Sequence, residues 1–195
     1  MGAYPVLRRF TSEEYLRLER ASETKHEFVD GLIFAMAGGT RSHDRILMNT
    51  SFLLQSQLRG GKCDVLSGSF RIAISNNGPH FYPDLSVICG KPQFLDSTTD
   101  CALNPSVVVE VLSKSTRRYD RETKVAAYQT IPSMRHIVLI SQFTVQIEHH
   151  FRAAGGKWKI QKLDDLDATL GLTAVGASLP LAGIYEGMPM RSLKT

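Results

Sequence analysis

The run Pro105 to Leu112, PSVVVEVL, constrains this chain more than any other stretch. Apolar residues in succession, without alternation, mark a strand covered on both faces. Glu110 interrupts the run. An ionised carboxylate withdrawn from water is costly unless a cation or a proton accompanies it. The following residues offer cations: Lys114, Arg117, Arg118, Arg121 and Lys124. They lead into a helix expected from about Thr116 to Ile131, ended by Pro132, and then a strand from Arg135 to Ser141. The unit reads as strand, basic loop, helix, strand.

A second run repeats the anomaly. Phe81 to Ile88, FYPDLSVI, is apolar except for Asp84 and Ser86 and reads as another buried strand. Pro83 lacks an N–H, which assigns it to a strand start, an edge or a bulge. Two carboxylates in two adjacent buried strands suit a hard divalent cation, because Mg²⁺ takes one or two carboxylates and keeps its waters. The competing reading is a pair of structural salt bridges to the nearby arginines, since such ion pairs occupy similar places.

The remaining chain supplies a frame around these strands. Thr11 and Glu14 have capping-box spacing, which opens a helix over Ser12 to Arg20 with Tyr15, Leu16 and Leu18 as its apolar side. Asp30-Gly31 between apolar runs predicts a hairpin over Lys25 to Ala37. Lys25, Glu27 and Val29 share one face of its first strand. Glu27 can face a cleft or solvent, and the sequence alone favours solvent. Ser42 is the expected cap of a helix reaching about Leu58, stopped by Gly60-Gly61. His43 falls in its first turn, where it can meet a phosphate or stay solvated. Short strands are expected at Cys63 to Leu66 and Ser69 to Ile74, and a loop at Lys91 to Asn104. A further hairpin spans Thr144 to Phe151 and Lys157 to Leu163, and a short strand with a helical turn lies in the tail. His149-His150 points to opposite faces of a strand, which is no metal-binding pattern.

Composition narrows the partners. The 195 residues fit one domain, with Met1 to Phe10 as a loose arm. Neither a membrane-length apolar run nor the apolar core of a signal peptide is present, so the expected compartment is the cytoplasm. Cys63, Cys89 and Cys101 lack C-x-x-C spacing, and reduced thiols are expected. The net charge of +4 permits a polyanionic partner.

At helical periodicity Arg117, Arg121, Lys124, Tyr128 and Ile131 form one stripe. That stripe can lean over Glu110, with Tyr128 supporting, or be a solvated cationic face. The segments YPDLSVICG, NPSVVVEVLSKST and YDRETKVAAYQTIPSMRHIVLISQ together resemble the Uma-type putative restriction endonucleases, also called the domain-of-unknown-function 820 group, of the PD-(D/E)xK nuclease superfamily. The resemblance runs from about Thr11 to the LPLAGIYEG tail. It implies an α/β fold with a mixed sheet flanked by helices, a restriction-endonuclease-like core carrying extra hairpins. It implies a Mg²⁺- or Mn²⁺-dependent endonuclease acting on DNA, and a homodimer. By the same resemblance Asp84 and Glu110 are metal-holding catalytic acids, Glu27 completes the metal site, and Lys124 is the catalytic lysine. Leu112 stands where the superfamily carries that lysine, two residues after Glu110. Lys114, Arg117, Arg118, Arg121 and His43 are the expected nucleic-acid contacts. Two alternatives stay open: a non-catalytic nucleic-acid- or partner-binding protein on this fold, and a metal-dependent hydrolase of a smaller phosphate ester.

Overall fold

A computed structural model describes residues 8–36 and 38–188. A six-stranded sheet runs β11-β10-β9-β8-β6-β3, where β3 is Cys63–Ser67, β6 Leu85–Cys89, β8 Val107–Leu112, β9 His136–Ser141, β10 Ile147–Arg152 and β11 Trp158–Leu163. All its pairings are antiparallel except β8 with β9, the two strands joined by the basic helical segment. A crossover between parallel strands needs such a helix. The sheet is therefore mixed, as expected.

Every residue of β8 and β9 is buried, because both faces are covered. Val109, Val138 and Ile140 pack one face against Ile46, Leu54 and Leu58 of α2 (Arg41–Leu58), against the hairpin of β12 (Thr169–Leu172) and β13 (Ala177–Pro180), and against α5 (Leu181–Ile184). On the other face, Val108, Leu112, Ile137 and Leu139 meet Val125, Tyr128 and Ile131 of the helical segment after β8. Val29, Ile72 and Phe81 join them from a second sheet of order β2-β1-β5-β4-β7. Its strands are β1 (His26–Val29), β2 (Leu32–Ala35), β4 (Arg71–Ala73), β5 (His80–Phe81) and β7 (Cys101–Ala102).

Local chemistry accounts for the connections. Thr11 and Glu14 cap α1 (Ser12–Arg20) reciprocally. Asp30 and Gly31 both take positive φ, 50° and 79°, as a tight hairpin turn requires. Phe10 is tied to that turn, its N–H donating to Gly31 O at 2.8 Å, while residues 1–7 of the expected arm lie outside the described residues. Among the described residues no helix is long and apolar enough to cross a membrane.

Several expectations are corrected. The N-cap of α2 is Thr40, not Ser42; its hydroxyl accepts the His43 N–H, an orphan donor of the first turn. Leu18 is exposed while Glu19 is buried, since Glu19 accepts from Tyr82 OH and pairs with His26. The expected loop over Lys91 to Asn104 contains β7. The expected strand Phe81 to Ile88 is broken at Tyr82-Pro83-Asp84, and its halves β5 and β6 belong to different sheets. Cys63 and Cys89 are register partners of β3 and β6, with Cα atoms 4.0 Å apart, and form a disulfide; only Cys101 is a free, buried thiol.

Three buried histidines make the fold acid-sensitive. Burial pushes His80, His136 and His149 each down to about 4. Below the ordinary value of 6.5 the unfolded chain then binds more protons than the folded one, so stability falls as pH drops from about 6.5 toward 4. Each histidine is expected to cost roughly 2 kcal/mol by pH 5. Urea melts at pH 7 and pH 5 measure this, and His149→Gln is expected to reduce the difference.

Candidate active site

Glu110 points from β8 toward the helical segment over residues 117–129, which begins as α3 (Arg117–Tyr119), widens into a π turn (Asp120–Lys124) and continues as α4 (Val125–Gln129). The widening is marked by the Val125 N–H donating to Asp120 O, five residues back. A turn with five-residue spacing advances less per residue, so residues four apart come into line and residues three apart diverge. This decides who joins Lys124. Asp120 does, and Arg121 does not: its Nε reaches Glu148 Oε2 on β10 at 3.4 Å instead.

Lys124 is 5% exposed and sits among three acids. Its Nζ is 2.8 Å from Glu27 Oε1, 3.2 Å from Glu110 Oε1 and 3.6 Å from Asp120 Oδ1. Tyr128 OH donates to the same Glu110 oxygen at 2.7 Å. Glu27, itself 5% exposed, also accepts the Tyr82 N–H at 3.2 Å. The solvent-facing reading of Glu27 is therefore overturned: the lysine that buries it is ninety-seven residues away and does not show in the local strand pattern.

The register brings Asp84 to the same place. Leu85 pairs with Val109, so one further step along the two strands sets Asp84 opposite Glu110. Asp84 Oδ2 accepts the Val111 N–H at 2.6 Å and lies 3.1 Å from His43 Nε2. Both contacts use one oxygen, which leaves Oδ1 without a hydrogen bond among the described residues. Thr40 at the start of α2 and Leu112 O at the end of β8 are bridged by the buried Gln142, whose amide donates to Leu112 O at 2.9 Å.

The electrostatics follow from one ammonium facing an excess of acids. Desolvation raises Glu110 well above the ordinary carboxylate value; Asp120, Asp84 and Glu27 add to this and Lys124 opposes it. Desolvation also raises Asp120. Burial alone would discharge Lys124, but Glu110, Glu27 and Asp120 together outweigh it and the net direction is upward. The hydrogen bond to Asp84 raises His43 against the opposing effect of burial. Among the described residues no group of three or more Asp, Glu, His or Cys is placed to hold a metal ion. The oxygens of Asp84 and Glu110 are still of the kind a hard divalent cation takes, and Mg²⁺ needs only one or two carboxylates.

The other expected site residues are dispersed. Lys114 and Arg117 are exposed in the loop and first turn after β8, and Arg118 pairs with Glu122 at 3.0 Å on the surface. His43 stands on Asp84 rather than in open solvent. Leu112 is buried in the core, so the lysine position two residues after Glu110 is filled by packing. Sequence reasoning missed Asp120, Gln142 and the buried Tyr119 hydroxyl. Asp120 could have been found from its four-residue spacing to Lys124; Gln142 and Tyr119 carry no local signal.

Known proteins share this arrangement of elements. A solved structure from Anabaena variabilis, described as a putative nuclease belonging to DUF820, superposes with a TM-score of 0.74 at 15% identity, covering 90% of this chain and 97% of that one. Two uncharacterized Synechocystis proteins are similar in sequence. One, slr1290, is 34% identical over 180 residues, 92% of this chain and 93% of its own length. The other, sll1609, is 33% identical over 153 residues, 78% and 86%. The Uma2 family model, whose description is "Putative restriction endonuclease", matches residues 12–182, and with that match over most of its length the chain belongs to the Uma2 family.

Proposed function

We propose that this protein is a Mg²⁺-dependent endonuclease that hydrolyses DNA phosphodiester bonds. The observation that carries the reading is the register-opposed pair Asp84 and Glu110 with the Lys124 ammonium 3.2 Å from Glu110. This is the acid, acid, lysine set that the family resemblance implies, with the lysine delivered from the helix. Asp84 and Glu110 would hold Mg²⁺ or Mn²⁺, with Asp84 Oδ1 the available oxygen. A bound cation of this kind polarises a phosphodiester and lowers the pKa of a bound water.

The chain's own residues do the rest. Glu27 and Asp120 keep Lys124 charged and fixed, so that its ammonium can offset the negative charge growing on the phosphoryl oxygens. Tyr128 holds the orientation of Glu110, and His43 with the Val111 N–H holds that of Asp84. Lys114, Arg117 and Arg118 would take neighbouring phosphates, which gives sequence-independent and salt-sensitive affinity. Two copies acting together would supply one site per strand of a duplex.

Conversion of supercoiled plasmid to nicked or linear forms, with Mg²⁺, Mn²⁺ or EDTA, tests the reading. Plasmid left intact with both metals would sink it. Metal binding has its own readout. A ligand that binds only the folded state adds RT ln(1 + [L]/Kd) to its stability. Mg²⁺ is therefore expected to raise the melting temperature, by an amount set by about 2.7 kcal/mol at a hundredfold excess over Kd. Asp84→Asn is expected to abolish the increase while the protein stays folded. An unchanged Mg²⁺ response in that variant would remove Asp84 from the metal site.

A further inference from the structure

Phe34 is 46% exposed on β2, the outer strand of the five-stranded sheet. It is the register partner of Glu27, so the two side chains stand on one face, one at the sheet edge and one inside the acid cluster. Its ring lies 6.3 Å from that of Tyr119, tilted by 47°. The Tyr119 ring in turn is 5.7 Å from Lys124 Nζ. The Tyr119 hydroxyl is buried on the side of Glu27, so its ring is held in place from within. A shelf of two aromatic rings thus leads from solvent to the catalytic lysine. Lys114, Arg117 and Arg118 are exposed in the loop and turn just before Tyr119.

An exposed aromatic ring backed by a second ring, in a chain that places cationic side chains next to the second, complements a ligand with a planar face and attached phosphates. A nucleobase on its phosphodiester chain has that chemistry, and every base has a π-face to stack. Bases inside a duplex already have both faces covered by their neighbours. A ring fixed on a strand edge can stack only on a base that has left the helix, and such departure is easiest for mismatched or single-stranded positions.

We propose that Phe34, backed by Tyr119, is a stacking platform for an unpaired nucleobase beside the scissile phosphate, and that the substrate class is DNA with single-stranded or extrahelical bases. This inference rests on the nuclease reading and narrows it.

Binding in EDTA tests it without turnover. The probes are a single strand, a duplex with one bulged base and a matched duplex, with 2-aminopurine at the unpaired position or its matched counterpart. Wild type is expected to bind the first two more tightly than the matched duplex and to quench their 2-aminopurine. Phe34→Ala is expected to weaken the first two by on the order of tenfold, lose the quenching and leave the matched duplex unchanged. Phe34→Trp should restore both. A wild type without preference for unpaired bases, or a Phe34→Ala variant that keeps preference and quenching, overturns the proposal and leaves the nuclease reading intact. So does a Phe34→Ala variant whose only change is its oligomeric state in sedimentation, which would make the ring a contact between copies. A wild type that binds none of the probes and cleaves no plasmid overturns both.

Discussion

Lys124→Ala is expected to slow single-turnover DNA cleavage by on the order of 10²–10³ at saturating DNA. The same variant is expected to melt roughly 10 °C lower, because removing one partner of a buried ionic group costs about 3–5 kcal/mol. Both effects have one origin. Lys124 is the ammonium that Glu27, Glu110 and Asp120 share, and without it three buried carboxyls must protonate, take up a metal or repel one another. Arg118→Ala is the control, since Arg118 is an exposed cation whose partner Glu122 is also exposed. It should weaken DNA binding modestly, lower the salt dependence by about one contact and regain its full rate at saturation. Cleavage by Lys124→Ala at the wild-type rate under saturation would take the lysine out of the mechanism.

Glu110→Gln should be as inactive, with a loss on the order of 10³, because it removes one of the two acids proposed to hold the cation. Its stability should move the other way. The substitution keeps the shape, keeps an acceptor for Tyr128 OH, and leaves Lys124 with Glu27 and Asp120. It removes a carboxylate whose burial is already unfavourable, so the metal-free variant is expected to melt no lower than the metal-free wild type. Two inactive variants with opposite shifts in melting temperature would separate the roles of charge compensation and cation holding. A Glu110→Gln protein that melts as far below wild type as Lys124→Ala would show Glu110 to be a structural partner of the lysine.

The parts of this architecture that were legible in the sequence depend on local physics. Glu110 stood out because four valines and a leucine around it leave a carboxylate no solvent. Asp30-Gly31 announced its hairpin because few other pairs tolerate positive φ twice. The crossover helix and the two central strands follow from runs of apolar residues and from Pro132. What stayed hidden depends on distant partners. The burial of Glu27 needs Lys124, and the pairing of Cys63 with Cys89 needs the register of two strands twenty-six residues apart. Pro83 was read as a strand start, an edge or a bulge within one strand, and nothing local says that the residues on its two sides join different sheets. The 3.6-residue projection aligned Arg121 with Lys124 because it assumes a uniform helix.

The π turn lets chain length vary on one side of the site and not on the other. It holds one residue more than an α-turn would over the same rise. Loss of a single residue between Tyr119 and Lys124 would let the ordinary ladder close, and the turns on either side would keep their directions. The regular ladder after Lys124 has no such slack. Lys124 and Tyr128 both reach Glu110 Oε1 from positions four residues apart. Deleting one residue between them would rotate Lys124 about 100° around the helix axis relative to Tyr128, and only one of the two could stay on Glu110. The four-residue step from this lysine to this tyrosine is therefore a spacing that the site cannot change.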